Sequence, residues 1–568
     1  MNRNQPYRTI HHNQMHWIVA EEYTSVLPGE LVEKVKHAAV HSECKVIREN
    51  NVRVSLLFSL PGRKEVVFVK RYKCRGLMDS VKYFIFTSKA SAEWRNIQRF
   101  LRKGIQVAVP LAKGEKRRFH CVLDSYLVTE AFTPAVSLNS YLGKQVRAGD
   151  VAGALEKRKT IIKKLALLVG KIHSAGFFYR DLHAGNIVVV EGDKGELQLY
   201  PIDLHKAWYL GKVPRRMCIR DLAQLKNSLP ASRTEQVRFL REYAGRNLYF
   251  GKEFKVNARC IEKKADALRD VHLRSRTKRC VINSSEFAVK KDGTQSFYHN
   301  KIYPEKLLAE ILEKYTHAAK SSDRTVLKKT FKETVSVITI SHNKRELKVL
   351  AKESRCTGIL NRLRYVFFQS RARKYWIAAR GLTVRGVSTP HALALIEKRS
   401  LGMPTENILF TEFIDHACEL NEFVIKSFRE ITTPDEKNRK ARFIKDCAHA
   451  IKDLHEKNIY HADLKSNNIL VKEESGNTWK FYFIDLDRVA FRRSLSFSQR
   501  SNNLAQINAS IAECINPSDR LKFFKAYANG TPVMKQKKRF YRRIREISRR
   551  KITQPYGVSF TSPERNIF

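Results

Sequence analysis

Asp181 and Asp463 stand 282 residues apart, and carrying that one offset along the chain brings residue after residue into register. Lys70 meets Lys352, Trp94 meets Trp376, Gly104 meets Gly386 and Glu130 meets Glu412. Further on, His173 meets His455, Asp203 meets Asp485, and Leu-Ala-Gln recurs at 222–224 and 504–506. Coincidence does not hold register over such a distance, so the chain is two diverged copies of one domain. A single hydrophobic core stops growing near roughly 250–300 residues, a size that one copy already fills. Residues 265–299 are polar, basic and turn-rich, which places the boundary near 295 and the domains at 1–295 and 296–568. An amphipathic helix over 304–320, with Leu307, Ile311 and Tyr315 at helical spacing, then opens copy two and echoes residues 28–40.

Both copies follow one order. Short alternating segments come first, such as VRVSLLFSL (52–60) and EVVFVKRY (65–72). A helix carrying Trp94 and a strand ending at Glu130 follow, then a long helix over 157–176 that Gly176 stops. Next come YRDLHAGNIVV (179–189) or YHADLKSNNILV (460–471), each running into an apolar strand, and a further strand ending in Ile-Asp. Strands first, helices later and polar residues gathered between them describe an α+β domain of two lobes around a cleft.

The residues at that cleft suit phosphoryl transfer, which asks a protein for positioning and charge neutralisation more than for covalent chemistry. Lys70, on a strand, can reach the α- and β-phosphates of ATP, and Glu93 on the next helix can hold it. Asp203 at a strand end and Asn186 offer the hard oxygen ligands that Mg²⁺ prefers. Asp181 is placed to orient a hydroxyl and take its proton. Copy two repeats the set with Lys352, Asp463, Asn468 and Asp485. Glu130 and Glu412 each end a strand of this order. Alone, Asp-Leu with Asn five residues on reads as an Asx-type turn before a strand. The downstream Ile-Asp, the strand lysine and the second copy turn the balance to catalysis. His173 and His455 are read as packing residues, Trp94 and Trp376 as core.

The copies differ where it matters. Lys465 places a fixed positive charge for the γ-phosphate where copy one has His183. Tyr375 stands at the position of Glu93, and no acidic residue occurs from 354 to 396, so that helix cannot serve Lys352. Both copies are expected to bind nucleotide, and copy one to hold the complete Lys–Glu pair. Neither IRENNVRVSLLFS nor TVSVITISHNKRE contains a glycine, so no glycine-rich turn covers the phosphates.

The order Lys, Glu, Asp-Leu-x-x-x-Asn, Asp resembles the signature set of the protein-kinase-like fold. The wording SKASAEWRN, LRKGIQVAVPLA, SRARKYW, ARGLTVRGVSTPHALALIE and YHADLKSNNILV is similar to the lipopolysaccharide kinase family (Kdo/WaaP type, InaA-like). The resemblance runs over both copies, about residues 20 to 560. It implies two tandem bilobal kinase-like domains, a small strand-rich lobe and a larger helical lobe in each, with Glu130 and Glu412 at the hinge where backbone meets adenine and their side chains either contacting nucleotide or bracing the hinge. It also implies ATP and Mg²⁺ as cofactors and a Kdo or heptose hydroxyl of the lipopolysaccharide inner core as acceptor. The alternatives are a protein or small-molecule kinase on the same fold, or a regulatory tandem pseudokinase.

Charge bears on the partner. With 107 Lys and Arg against 56 Asp and Glu, the net charge of +51 attracts polyanions. An anionic glycolipid and an acidic membrane surface fit that balance. Nucleic acid does so less well, because no zinc-finger spacing, RNP-like motif or repeat code accompanies the charge. The basic segment 535–551 sets Phe540, Ile544 and Ile547 on one helical face, which suits either an acidic membrane or docking on the helical lobe. Ten scattered cysteines without a C-x-x-C pair indicate thiols in a reducing compartment. No signal-peptide core opens the sequence and no run reaches the roughly 20 apolar residues of a spanning helix. The expectation is a cytoplasmic protein, peripheral on the inner face of the membrane.

Overall fold

The computed structural model describes residues 6–553, except 13, 51, 75–86, 119–120, 146–150, 193–194, 248–249, 252, 322–324, 343–344, 357–367 and 401–402. The chain divides into two units, Met1–Arg269 and Asp270–Phe568.

In the first unit, strands β1 (Tyr7–His12), β2 (Met15–Ala20), β3 (Cys44–Glu49), β4 (Arg53–Ser59), β5 (Val66–Lys73), β6 (Pro110–Arg118) and β7 (Cys121–Glu130) form one sheet. Its order is β1-β2-β6-β7-β5-β4-β3, antiparallel throughout. The period-2 alternation of β4 and β5 places Leu56, Phe58, Val67 and Val69 in the core of this lobe with Trp17 and Tyr126. A separate core of Ile161, Leu165, Val169, Leu222 and Tyr243 fills the helical lobe. Two cores in one unit are the physical content of two lobes. Small strands β8 (Val136–Ser137), β9 (Phe177–Phe178), β10 (Ile187–Glu191), β11 (Leu197–Pro201) and β12 (Trp208–Tyr209) frame the cleft, in the ladders β11-β10-β8 and β12-β9. The long helix Val151–Ser174 ends as expected at Gly176, whose φ of 91° is open to glycine. A Cβ there would lie 2.5 Å from the carbonyl oxygen of Gly211.

The second unit repeats this plan. Strands β13 (Phe287–Asp292), β14 (Gln295–Asn300), β15 (Thr325–Lys329), β16 (Glu333–His342), β17 (Arg345–Arg355), β18 (Ala392–Ser400) and β19 (Met403–Glu412) take the order β13-β14-β18-β19-β17-β16-β15. Behind them come β20 (Ala417–Glu419), β21 (Ile459–His461), β22 (Ile469–Glu474), β23 (Thr478–Phe483) and β24 (Val489–Phe491). Of the polar stretch placed at the boundary, residues 265–278 are the end of the helix Phe254–Lys278, and the rest leads into a hairpin of this unit: β13 and β14 pair across residues 287–300, and β14 joins β18. The division thus falls before 295, because an edge hairpin carries the same polar, turn-rich composition as a linker while burying only Phe287, Tyr298 and His299.

Three other expectations are adjusted. The helix expected over 304–320 runs Glu305–Ser321, but its echo in the first copy is only the short helix Leu31–Lys36. Trp376 is core, with Nε1 bonded to the Cys280 carbonyl at 2.8 Å, whereas Trp94 is half-buried and edge-on to Tyr7. The basic C-terminal helix Lys537–Thr553 docks on its own lobe: Phe540 and Ile544 are buried in the core, and Ile547 packs against it. Its apolar stripe is therefore spent inside the unit, and only the cationic face, including Lys538, Arg542 and Arg545, is left outside. Among the described residues no helix is long and apolar enough to cross a membrane, and no disulfide joins the cysteines.

Candidate active site

The helix Lys89–Arg102 starts where Ser88 accepts from the Ser91 backbone at 3.0 Å, and Ser88 itself is anchored on Glu115. This cap fixes the helix against β6, so Glu93 faces Lys70 on β5. Lys70 Nζ donates to Glu93 Oε1 at 2.7 Å and to Asp203 Oδ1 at 2.8 Å. The second oxygen of Glu93 accepts from Tyr72 at 2.7 Å. Asn96, one turn along the same helix, donates to the carbonyls of Leu204 and Ala207 and so pins the segment after Asp203. Asp203 sits in the left-handed region at φ 61°, a strained place for a residue other than glycine.

A residue outside the expected set completes this cluster. Arg53, on β4, gives Nη1 to both oxygens of Asp203 at 2.8 and 2.9 Å. Burial opposes the charge on Asp203, but Lys70 and Arg53 outweigh it and hold the carboxyl well below the usual range. Likewise burial opposes the charge of Lys70, and Glu93 with Asp203 keeps its pKa raised. Glu93, Asp203 and His205 bring ligand atoms within 4.8 Å of one another, and the Lys70 ammonium already bridges two of them.

The loop 179–186 is held from below. Asp221, fully buried, accepts from the backbones of Tyr179 at 2.8 Å and Arg180 at 3.0 Å, which stabilises Arg180 at φ 67°. His173 lies 3.3 Å from Asp221 and 2.7 Å from the Tyr243 hydroxyl, the structural role expected of it. Asn186 spends Nδ2 on the Asp181 carbonyl at 3.1 Å, which leaves Oδ1 as the side-chain atom that could hold a metal. The Ile202 backbone donates to the Asn186 carbonyl at 2.9 Å, bringing Asn186 beside the strand end that carries Asp203. Asp181 pairs with Lys206 at 2.6 Å. His183 turns into the loop to accept from the Gly185 backbone, so Lys206 supplies the cation that His183 does not. At the end of β7 the Glu130 carboxylate faces the Val109 backbone at 3.4 Å, as Glu412 at the end of β19 faces His391 in the second unit.

The second unit keeps the parts and changes their supports. Lys352 lies 3.1 Å from Asp485 and 3.6 Å from Glu333, while Tyr375 is buried where Glu93 would be. The missing helix carboxylate is thus replaced from a strand. Asp485 repeats the left-handed turn at φ 54°, Asn468 Nδ2 bonds the Asp463 carbonyl at 2.7 Å, and Lys465 lies 3.2 Å from Asp463. Beneath the loop, however, Asn503 takes the place of Asp221. Its Nδ2 donates to the His461 carbonyl at 2.5 Å, Gln506 accepts from the Leu464 backbone and donates to the Ala462 carbonyl, and the loop has no left-handed residue matching Arg180. A cavity of about 900 Å³ opens here, lined by Lys352, Glu412, Asn468 and Asp485 among others.

Sequence reasoning missed four of these residues. Lys206 and Asp221 obey the 282 offset, facing Arg488 and Asn503, and a residue-by-residue reading of the repeat finds them. Arg53 and Glu333 do not obey it. Arg53 pairs with Tyr72 and Glu333 with Ser354, the same register position beside the lysine strand. Yet they stand 280 residues apart whereas Lys70 and Lys352 stand 282 apart, because the hairpin between them differs by two residues.

A two-lobed α+β unit whose cleft joins a strand lysine, a helix carboxylate, a loop Asp and Asn and a strand-end Asp is of the protein-kinase-like class. The chain belongs to the lipopolysaccharide kinase (Kdo/WaaP) family, which it matches twice, over residues 38–243 and 332–527. It is 29% identical over 212 residues to lipopolysaccharide core heptose(I) kinase WaaP of Escherichia coli K12, spanning 35% of this chain and 78% of that protein. To the protein of the same name in Pseudomonas aeruginosa PAO1 it is 30% identical over 217 residues, spanning 36% and 78%. A solved structure described as WaaP in complex with acyl carrier protein aligns at 24% identity and TM-score 0.34, over 44% of this chain and 98% of that one.

Proposed function

We propose that the protein transfers the γ-phosphoryl group of ATP to a sugar hydroxyl of the lipopolysaccharide inner core, a heptose or Kdo, and that the first unit is the principal catalytic centre. The observation that carries the reading is the buried Lys70–Glu93–Asp203 cluster in a member of a lipopolysaccharide kinase family. Lys70, pre-organised by Glu93, neutralises the α- and β-phosphates. Asp181 orients the acceptor hydroxyl and takes its proton, and Lys206 keeps a positive charge beside it. Asp203 and Asn186 are the metal-holding residues, and the donor set fits: both present hard oxygens, with the Asn186 amide nitrogen already committed elsewhere. Mg²⁺ bound there supplies charge neutralisation for the transferring phosphoryl group. In the second unit Lys352, Asn468 and Asp485 line a cavity large enough for a nucleotide, with Asp463 and Lys465 beside it. The excess of 107 basic over 56 acidic residues suits a phosphorylated, anionic glycolipid at the cytoplasmic face of a membrane.

Incubation of the full-length protein with labelled ATP and a truncated core acceptor, followed by mass spectrometry of the glycan, tests the reading. The expected result is one added phosphate, abolished when Asp203→Asn and Asp485→Asn are combined. Undiminished transfer by the double variant would refute the assignment of those two residues. Absence of transfer by the wild-type protein to any core acceptor would refute the substrate class.

A further inference from the structure

We propose that Arg53 is the phosphate clamp of the first unit, doing the work of the glycine-rich turn that this chain lacks. Its contact with Asp203 is then the resting state of an exchange completed when nucleotide binds. The inference rests on the phosphotransfer reading of that cleft. Arg53 projects from β4 two residues from Ser55, the cross-strand partner of Lys70, so it hangs over the place where the lysine meets phosphate. Two cations share the one carboxylate of Asp203: Lys70 takes Oδ1, and Arg53 Nη1 reaches both oxygens. The four side chains Arg53, Lys70, Glu93 and Asp203 sum to zero charge. Handing Asp203 to a divalent cation breaks that balance, and one of the two bases must yield.

Lys70 cannot be the one, being 8% exposed and held by Glu93, itself 3% exposed. Arg53 has Asp203 as its acidic partner among the described residues and is 17% exposed, on a strand at the cleft mouth. A guanidinium released there finds phosphate oxygens in the geometry it binds best, through paired N–H donors. Arg53 thus shields Asp203 without nucleotide and grips the phosphates with it. The second unit has Glu333 at this register position, turned to Lys352 at 3.6 Å. A carboxylate there steadies the lysine but repels a triphosphate, so the clamp belongs to the first unit alone.

The test uses the full-length chain with Lys352→Met, which removes the phosphate-facing cation of the second unit, and compares Arg53, Arg53→Ala and Arg53→Lys. Titration with ATP, ADP and adenosine in the presence of Mg²⁺ reads the clamp. Titration with Mn²⁺ alone, followed by its paramagnetic resonance, reads the shielding. Arg53→Ala is expected to weaken ATP and ADP about 10- to 100-fold, the worth of charged hydrogen bonds, with adenosine unchanged. Arg53→Lys should fall between, keeping the charge without the fork. Mn²⁺ should bind more tightly to Arg53→Ala than to the parent. Unchanged ATP affinity, or equal losses for ATP and adenosine, would overturn the clamp. Unchanged or weaker Mn²⁺ binding would overturn the shielding. A parent protein that binds Mn²⁺ but neither ATP nor ADP would instead defeat the phosphotransfer reading, and the Mn²⁺ comparison would still decide what Arg53 does to Asp203.

Discussion

Asp181 and Asp463 are the same residue twice, and their surroundings rank them. Asp181 follows Arg180, whose left-handed backbone is held where the buried Asp221 accepts from the N–H groups of Tyr179 and Arg180. Asp463 follows Ala462, braced by Gln506 and without that turn, because Asn503 has replaced the acid. An Asp accepts two backbone N–H groups at once; the Asn amide instead donates to a carbonyl, and the loop settles differently. Lys70 adds to the contrast, with a carboxylate from a buried helix against a longer contact to Glu333 for Lys352. Asp181→Ala should therefore lower total phosphotransfer more than Asp463→Ala, by roughly 10²-fold at its own site, as loss of a general base does. Steady-state rates of the two single variants check this. A larger loss for Asp463→Ala would mean that Lys465 outweighs the missing helix carboxylate.

The C-terminal helix Lys537–Thr553 carries its own consequence. Phe540 lies fully buried against Phe497, Phe524 and Tyr527, and Ser548 donates to the Ala505 carbonyl, so the helix is part of the second unit's core. Truncation before residue 535 removes that packing along with the charge and cannot separate anion binding from folding. Phe540→Ala should destabilise the second unit by about 3–5 kcal/mol, the usual loss for a buried aromatic, and leave the first unit's unfolding transition in place. Calorimetry of the variant against the wild type reads this directly. A shift of both transitions together would show that the units do not melt separately.

Across the molecule, the exchange of Asp221 for Asn503 gives the two units opposite responses to pH. Burial works against a charge on His173, but Asp221 and Cys218 overcome it and hold its pKa up at about 9. His455 has an amide for a partner, and burial pushes it down to about 3. The unfolded value is near 6.5 in both cases. For His173 the folded value is raised, so its stabilisation is complete below pH 6.5 and is lost as pH climbs toward 9. For His455 the folded value is depressed, so stability is retained above pH 6.5 and is lost as pH falls toward 3. Each change amounts to at most about 1.4 kcal/mol per pH unit within its window. The first unit's melting temperature should fall between pH 6.5 and 9 while the second's stays level from this cause, the Phe540→Ala trace identifying which transition is which. Asp221→Asn should lower the first transition overall yet flatten its alkaline slope. A wild-type first transition that is flat over this range would contradict a charged His173.

The duplication, the strand-then-helix order, the strand lysines, the two Asp-Leu-x-x-x-Asn loops and the Ile-Asp strand ends were all legible in the sequence. Each is a local pattern, set by hydrophobic period, by turn chemistry or by a constant spacing, and survives without knowing what it packs against. The boundary was less legible, because an exposed edge hairpin and a linker share a composition. What the fold alone decided are the meetings between distant side chains: Arg53 with Asp203, Lys206 with Asp181, Asp221 with the backbone of 179–180, Glu333 with Lys352, and the C-terminal apolar stripe with its own lobe. Those contacts depend on register and on which face of a strand or helix turns inward. The two hairpins differ in length by two residues, and at the same register position an arginine stands in one cleft where its twin holds a glutamate. No composition or spacing carries that information; it exists only once the strands are paired.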